Sequence, residues 1–331
     1  MIAPMVGISH VAFRELIRHY TPKKMNPLIF TEMLSTRRIP NQRLDLADRL
    51  FCAYEEKFFI PQLLGNEEDL IRDSIKKLMS LNPWGFDINM GCPSRKTLQH
   101  NWGILLMGDK EYAAKVVSYA KKHSTVPVSV KLRAGFGDTV ELDYLLSFTE
   151  KMEAAGADWM TLHCRARGQR HRGPAQWDII GKIAKERRIP VVANGDIQTV
   201  DDAMEVIQEH QADGAMFARA AIARPWILLQ VAERLGLDTE GIPIPRTREE
   251  EGREYFKSIL ILCGLLKKYF GDSQASLERL QYHIGVGHKW LEFGHDFWKT
   301  IFRTKSIDEA EQVIAGYAER YPQPLTARVQ L

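Results

Sequence analysis

Short apolar runs alternate with helical patterns through the first two thirds of the chain. Eight runs have the composition of strands, and they lie at Met1–Val6, Leu28–Met33, Phe59–Leu64, Gly85–Asn89, Val126–Leu132, Trp159–Cys164, Pro190–Asn194 and Gly214–Phe217. Segments with helical periodicity separate several of them, at Glu67–Leu81, Lys110–Lys122, Glu141–Ala155 and Val200–His210. Strict alternation predicts a parallel sheet with right-handed crossovers, and eight units predict an α/β fold of the (β/α)8 TIM barrel class.

An open, doubly wound sheet is the structural alternative. Such a sheet would carry a glycine-rich GxGxxG turn after its first strand, and the segment Pro4-Met5-Val6-Gly7 offers none. The stretch from Arg37 to Phe58 interrupts the alternation, because it is long for one helix and contains Pro40. We predict an irregular excursion above the barrel there, together with a helical piece.

The last third of the chain shows no strand pattern. A helix is predicted from Trp226 to Leu237, a linker follows at 241–245, and Thr247 with Glu250 matches a helix capping box. Further helices are predicted at Tyr255–Tyr269, Ala275–Ile284, Gly285–Glu292, His295–Phe302 and Ile307–Arg320. We therefore predict two domains, a barrel over residues 1–240 and a C-terminal helical bundle domain over residues 241–331.

Composition and charge narrow the classes of function only slightly. The net charge of +3 permits a polyanionic partner without requiring one. The four cysteines are widely spaced and form no CxxC pair, so we expect neither a metal site nor a disulfide framework, and a reducing, cytoplasmic setting. The longest apolar run, Ile259–Leu266, is too short to span a bilayer, and no signal-peptide pattern opens the chain. No membrane partner is expected.

Function in a (β/α)8 barrel sits at the carboxyl ends of the strands. Every predicted strand ends in or near a candidate side chain, and the set comprises Met5, Glu32, Gln62, Asn89, Cys92, Lys131, Arg133, His163, Arg165, Asn194, Gly195, Asp196 and Arg219. Burying polar groups in apolar strands costs free energy unless they are paired, so this distribution favours a functional site over a plain scaffold.

Three of these side chains carry the candidate chemistry, and each has a simpler reading. Cys92, in the turn Asp87–Ser94, places a thiol where it can donate a proton or act as a nucleophile, or it is a small core residue. Lys131 points inward with Ser129. It is either a fixed cation that stabilises developing negative charge or a strand-end lysine whose ammonium group extends to the solvent. His163 is either functional or a satisfied core histidine.

Two further segments suggest anion binding. Asn194-Gly195-Asp196 and Ala218-Arg219 follow strands seven and eight, where barrels frequently bind phosphate, although a tight turn with a surface arginine is the alternative. The loop 165–173 holds Arg165, Arg167, Arg170 and Arg172, which suits an RNA backbone unless the loop is merely solvated. Basic and aromatic residues of the tail suit RNA too, or form the bundle core: Lys267, Lys268, His283, His288, Lys289, Trp290, Phe293, His295, Trp298 and Lys299.

Ordered motifs along the whole barrel resemble those of the tRNA-dihydrouridine synthase family. They are Ala3-Pro4-Met5, Thr31-Glu32-Met33, Gln62-Leu63-Leu64-Gly65, Asp87-Ile88-Asn89-Met90-Gly91-Cys92-Pro93-Ser94, Val130-Lys131-Leu132-Arg133, His163-Cys164-Arg165, the segment 190–197, and Arg219 with Pro225-Trp226. The resemblance implies an FMN-binding barrel and a helical domain that helps to hold tRNA. It also implies a role for each matching residue.

The implied cofactor is FMN at the barrel mouth. The isoalloxazine ring would be bordered by Pro4, Met5 and Val6, with Gln62 and Lys131 on its polar edge and His163 near the ring and the base. The ribityl phosphate would be held by Asn194, Gly195, Asp196, Ala218 and Arg219. Asn89 would meet the uracil edge, and the loop arginines Arg165, Arg167 and Arg170 would contact the RNA.

The implied reaction reduces a uridine to 5,6-dihydrouridine. NADPH reduces FMN, a uridine is extruded from its RNA stack, flavin N5 passes hydride to uracil C6, and Cys92 protonates C5. Lys131, His163 and Asn89 would assist at the reacting base. The expected substrate is tRNA, with ribosomal RNA left open as a second possibility, and the expected state is a monomer.

Several positions depart from the family pattern. Residues 99–106 contain Trp102 and one glycine where the family is rich in glycine and alanine, Ala218-Arg219-Ala220 replaces Gly-Arg-Gly, and Arg165-Ala166 replaces Arg-Thr. Two other functions therefore stay open. One is an FMN barrel that reduces a free small molecule, and the other is a paralogue that binds RNA or flavin with weakened turnover.

Overall fold

Seven parallel strands form the sheet of this protein. In a computed structural model, which describes residues 1–44, 56–169, 172–320 and 323–330, each strand pairs with the next one along the chain. The strands are β1 (Ile29–Ser35), β2 (Phe59–Leu64), β3 (Phe86–Met90), β4 (Val128–Gly135), β5 (Trp159–Ala166), β6 (Val191–Asn194) and β7 (Gly214–Met216).

The first residues of the chain occupy the eighth position of the sheet. Ile2 pairs in parallel with Ile29 on one side and with Phe217 on the other. Its amide donates to the Leu28 carbonyl at 3.0 Å, and the Ala3 amide donates to the Phe217 carbonyl at 2.8 Å. These bonds join the two edges of the sheet, and the predicted (β/α)8 barrel is confirmed.

The first strand is shorter than the predicted run Met1–Val6. Only Ile2 makes bridges, because Pro4 has no amide hydrogen to donate and the chain turns at Gly7, where φ is +78°. Ser9 stabilises this turn by accepting from the Met5 amide at 2.9 Å and donating to the Ala3 carbonyl at 3.1 Å. The short strand therefore leaves residues 4–6 as a loop at the mouth of the barrel.

Helices follow the strands around the barrel. They are α1 (Val11–His19), α2 (Glu68–Leu78), α3 (Arg95–Leu98), α4 (Lys110–His123), α5 (Leu142–Ala154), α6 (Asp178–Ala184), α7 (Val200–Gln208), α8 (Ala220–Ala223) and α9 (Ile227–Arg234). Side-chain caps fix several starts; Asp109 accepts from the Tyr112 amide at 3.0 Å, and Thr199 and Asp202 form a capping box. Of the predicted excursion 37–58, residues 45–55 lie outside the described residues, and Ile39–Asn41 is a single 3₁₀ turn.

The described part of the tail contains four helices. They are α10 (Arg248–Phe270), α11 (Gln274–Gly287), α12 (Gly294–Phe302) and α13 (Ile307–Arg320), with a 3₁₀ turn at His288–Trp290. The predicted capping box is confirmed, because the Glu250 amide donates to Thr247 Oγ1 at 3.1 Å and the Thr247 amide donates to Glu250 Oε2 at 3.0 Å. The prediction of a separate helix at Gly285–Glu292 is wrong. Instead, α11 continues through Gly285 to Gly287, and the 3₁₀ turn follows it directly.

The tail packs directly against the barrel through a shared apolar core. Ala12 and Leu16 of α1 and Trp226 before α9 lie in one buried cluster with Trp290 and Phe297 of the tail. Trp290 is therefore a core residue, as one of the two readings predicted, whereas Phe293 is 82% exposed. The division of the chain into domains at residues 240 and 241 stays a prediction.

A buried ion pair joins the barrel to the tail. Arg224, after α8, donates to Glu251 of α10 at 2.9 Å and to the Thr326 carbonyl at 2.7 Å, and the two charged side chains are 3% and 12% exposed. Gln230 adds a bond to Glu251 at 3.0 Å. A charge pair desolvated to this degree is costly to break, because removing one partner leaves the other charge buried without compensation.

Replacing Glu251 with Ala should destabilise the protein by about 3–5 kcal/mol, because the Arg224 guanidinium would stay buried without its counter-charge. Urea unfolding measures the change. The matched control is Asp238→Ala, which removes the partner of Lys24 in an exposed pair and should leave the unfolding midpoint unchanged. Equal shifts for the two variants would contradict the structural importance of the buried pair.

Candidate active site

A cavity of about 440 Å³ opens at the carboxyl ends of the strands. This volume falls within the range of about 300–1,000 Å³ that is typical of small-molecule and cofactor sites. All residues predicted to contact a cofactor line it: Pro4, Met5, Val6, Gln62, Lys131, His163, Asn194, Gly195, Asp196, Ala218 and Arg219. Asn89 and Cys92 line it as well. The barrel thus gathers thirteen residues, spread over 216 positions of the chain, around one space.

The turn after β3 presents Cys92 to the cavity. β3 is buried over its whole length, and Asn89 Oδ1 accepts from the amides of Gly91 at 3.3 Å and Cys92 at 3.0 Å. The Cys92 carbonyl accepts from the Ile104 amide at 3.1 Å and from Thr97 Oγ1 at 3.0 Å. The backbone of the turn is therefore held from both sides, while the free thiol of Cys92 stays partly exposed in the cavity wall.

The residues that depart from the family pattern near Cys92 pack outside the cavity. Trp102 is buried and donates from its indole nitrogen to Asn66 Oδ1 at 2.9 Å. Its large ring is therefore packed in the protein interior and does not line the cavity. Gly103 has φ +60°, and a Cβ there would lie 2.6 Å from the Cys92 carbonyl oxygen. The one glycine in this stretch is therefore at the position where the chain approaches the Cys92 turn most closely.

A chain of side-chain hydrogen bonds runs from the centre of the barrel to this turn. Ser129 Oγ donates to Asp87 Oδ1 at 2.6 Å, Gln62 Nε2 donates to Asp87 Oδ2 at 2.7 Å, and Asn89 Nδ2 donates to Gln62 Oε1 at 2.8 Å. The amides of the turn can only donate, so Asn89 must turn its oxygen to them and its nitrogen to Gln62. The oxygen of Asn89 is then fully used, and what Asn89 offers the cavity is an N–H donor.

Asp87 forms the inner end of this chain of bonds. The carboxyl is completely buried, and burial raises its pKa to about 6. The hydrogen bonds from Ser129 and Gln62 favour the carboxylate and so lower the pKa, but burial has the larger effect. Because Asp87 accepts from both neighbours, it also fixes the orientation of the Gln62 amide. Gln62 and Asn89 are recognisable as site residues from their places at strand ends, whereas nothing in the sequence assigns a role to Asp87 or Ser129.

Lys131 reaches across the barrel, as its inward parity predicted. Its Nζ donates to Asn194 Oδ1 at 3.0 Å, and Asn194 Nδ2 donates to the Met216 carbonyl at 2.9 Å. Burial lowers the pKa of Lys131 to about 8, while the nearby charge of Asp87 acts to raise it. Lys131 is therefore largely protonated at pH 7 and presents a cation to the cavity.

The loop after β6 forms a close contact with β5. Gly195 has φ +108°, and a Cβ there would lie 2.7 Å from His163 Cδ2. Asp196 also has a positive φ, of 56°; its carboxylate accepts from the Ala175 amide at 2.9 Å and pairs with Arg165. Only a residue without a side chain fits at Gly195, so His163 can lie directly against the loop.

Of the three arginines predicted to contact the substrate, the two that lie in the described part of the chain are outside the cavity lining. Arg165 is 2% exposed and binds Asp196 and the Gly173 carbonyl, which places it beneath the loop instead of in the cavity lining. Arg167 lies 5.9 Å from the Phe136 ring and lines an adjoining groove with Arg133. Arg170 lies outside the described residues. Arg165 thus stabilises the loop after β6 through its bond to Asp196. Arg167 lines the open groove and is the more accessible of the two arginines.

The tail contributes two cavity residues that the sequence analysis did not identify. Tyr282 and Val286 of α11 line the cavity, and the Tyr282 ring lies over Gly7, where a Cβ would be 2.8 Å from Tyr282 Cε1. In the sequence, Tyr282 is marked only as an aromatic residue in a helical segment, far from any strand end. The folded tail therefore completes the mouth of the cavity.

Two classes of feature are absent from the part of the chain that the structure describes. No three or more His, Cys, Asp or Glu side chains cluster so as to hold a metal ion. No helix there combines the length and apolarity that crossing a bilayer requires.

The chain belongs to the dihydrouridine synthase family. The family model described as dihydrouridine synthase (Dus) matches residues 1–250. A probable tRNA-dihydrouridine synthase of Rickettsia conorii is 30% identical over 86% of this chain and 82% of its own length. Probable tRNA-dihydrouridine synthase 1 of Synechocystis is 32% identical over 69% of this chain and 63% of its own length. The tRNA-dihydrouridine synthase B of Pseudomonas syringae is 28% identical over 82% of this chain and 77% of its own length. The protein is thus an enzyme of this family.

Replacing Asp87 with Asn should change how stability depends on pH. Between the ordinary carboxyl pKa of 3.8 and about 6, folded wild-type protein binds a proton that the unfolded chain does not. Wild type should therefore gain stability relative to Asp87→Asn as pH falls from 7 to 4, by about 2 kcal/mol. Urea unfolding of both proteins across this range measures the gain. Parallel curves would show that Asp87 is not a desolvated carboxyl.

Proposed function

We propose that this protein reduces a uridine of tRNA to 5,6-dihydrouridine, with FMN bound in the cavity and NADPH as the reductant. The observation that carries the proposal is the arrangement of the Cys92 thiol, the Asn89 amide and the Lys131 cation around one cavity. Membership of the dihydrouridine synthase family and the names of the relatives support the same reaction. We also propose that the tail, residues 241–331, helps to bind the RNA. The enzyme is proposed to be a cytoplasmic monomer.

The residues of the cavity fit the two ends of FMN. The loop 194–196 and the Arg219 side chain line the same space, and a guanidinium together with loop amides suits a phosphate group. The apolar loop Pro4–Val6 and the donors of Gln62 and Lys131 suit the ring and its polar edge. Ala218 and Ala220 do not have positive φ, so the backbone there does not require the glycines of the family pattern.

The protein residues account for the proton and the charge in the reaction. FMN, when bound and reduced, supplies the hydride for uracil C6. The Cys92 thiol donates a proton to C5, and the uridine reaches both only when it leaves its RNA stack. Negative charge develops on the uracil carbonyls, where the N–H of Asn89 and the cation of Lys131 lower the barrier. His163, held against Gly195, borders the base.

Replacing Cys92 with Ala should abolish product formation while flavin and tRNA still bind, because only the proton donor is removed. Dihydrouridine in tRNA after incubation is measured by mass spectrometry, and flavin content by absorbance. The matched control is Cys263→Ala, which deletes a buried thiol of the tail core and should keep activity. Normal turnover by Cys92→Ala would refute the assigned role.

Replacing Arg219 with Ala should weaken FMN binding about ten- to a hundredfold, because a charge-assisted bond to phosphate is lost. Flavin fluorescence during titration of the apoprotein gives the dissociation constant. Arg188→Ala, at the amino-terminal end of β6 and away from the cavity, is the control and should bind FMN as wild type does. Unchanged affinity in Arg219→Ala would place the phosphate elsewhere.

The activity itself is tested in cells that carry or lack the gene. Dihydrouridine is mapped by mass spectrometry in purified tRNA and, separately, in ribosomal RNA. We expect one or more tRNA positions to lose dihydrouridine when the gene is deleted and to regain it with the wild-type gene but not with Cys92→Ala. Loss confined to ribosomal RNA would correct the substrate, and no loss in either RNA would contradict the proposed reaction.

A further inference from the structure

A group of aromatic side chains extends from the cavity mouth across the tail. Trp298 of α12 stacks on His288, with ring centroids 5.2 Å apart and planes at 10°, and it also contacts His295 at 5.4 Å and Phe302 at 5.9 Å. A Cβ on Gly285 would lie 3.2 Å from Trp298 Nε1, so the indole lies against α11 one turn beyond Tyr282. We call these five residues, Tyr282, His288, His295, Trp298 and Phe302, the aromatic strip.

The apolar core of the tail accounts for Trp298, which packs partly buried against it, but not for the exposed members of the aromatic strip. Tyr282 is 52% and Phe302 64% exposed, and His295 is exposed, whereas the core of the tail is filled by Trp290 and Phe297. Large exposed aromatic side chains in one place are unusual on a free protein surface and mark a binding site. The strip has therefore a surface on which another flat group can lie.

The position and charge of the aromatic strip indicate its partner. Tyr282 is at once a member of the strip and a wall of the catalytic cavity. Lys289, in the 3₁₀ turn that follows α11, and Lys299 of α12 are both exposed, and each directly adjoins a member of the strip in the chain, His288 and Trp298 respectively. Aromatic rings flanked by cations bind unpaired nucleotides, whose bases stack while the phosphates meet the charges.

We propose that the aromatic strip binds the unpaired nucleotides next to the extruded uridine by stacking their bases on its rings. The proposal rests on the proposed function and extends it to the RNA outside the cavity. Extrusion of a base exposes the faces of its neighbours and costs stacking free energy. The ring of Tyr282, at the mouth, replaces the lost neighbour, and the rings around Trp298 receive nucleotides further along the strand. Single-stranded segments of the RNA are thus selected over duplex.

The test measures RNA affinity of the holoprotein for unmodified tRNA, a single-stranded oligouridine and an RNA duplex of the same length. Tyr282→Ala and Phe302→Ala should each weaken binding of tRNA and oligouridine about five- to a hundredfold and leave duplex binding unchanged. Tyr282→Phe keeps the ring and should bind as wild type does. The matched control is Trp84→Ala, which removes a partly exposed aromatic side chain before β3, at the opposite end of the barrel.

Salt dependence separates stacking from charge. The ring variants should lower affinity at every salt concentration without changing the slope of log affinity against log salt, whereas Lys299→Gln should reduce the slope by about 0.7. Ring variants that bind tRNA like wild type, or a Trp84→Ala variant that is equally weakened, would overturn the strip proposal alone. Loss of self-association in Phe302→Ala at unchanged RNA affinity would assign the strip to a protein contact. Absence of RNA binding by wild type would overturn the proposed function as well.

Discussion

The hydrogen-bond chain from Asp87 to the Cys92 turn determines what the barrel mouth can do. Its outer end consists of two backbone amides that only donate, and its inner end is a buried carboxyl that accepts from Gln62 and Ser129. Between them the amides of Gln62 and Asn89 have one orientation that pairs both amide oxygens with donors and gives Asp87 its bond from Gln62. Because buried polar groups are costly when unpaired, this orientation is strongly preferred. Asn89 accordingly offers an N–H, and Cys92 stays beside it.

The polarity of this wall suits a ligand rich in carbonyl oxygens. Asn89 and Lys131 both present donors, and a pyrimidine dione presents acceptors to them. Negative charge that grows on such oxygens during reduction is stabilised without rearrangement of the protein, since the donors are already fixed by their other bonds. The same fixed arrangement explains why Trp102 is tolerated so near the site: it binds Asn66 and leaves the turn unaltered.

The barrel and most of its site follow from local patterns, whereas the contribution of the tail does not. Alternating strands and helices predict the fold, and positions at the carboxyl ends of barrel strands predict that Lys131 shares a space with Asn89 and Asn194. Arg165 shows a limit, because sequence cannot tell an arginine that faces RNA from one that pairs with Asp196 under a loop. Tyr282 shows another, because its place over Gly7 depends on how the tail packs against α1, through contacts far apart in the chain.

The most direct test of a flavin and a uridine meeting in this cavity is the oxidation of the reduced, purified holoprotein under anaerobic conditions. Absorbance near the flavin maximum is followed after mixing with tRNA that lacks dihydrouridine, with free uridine, or with buffer. The account predicts rapid oxidation by tRNA and little change with the other two. Oxidation at the same rate in all three, or faster oxidation by free uridine than by tRNA, would contradict it.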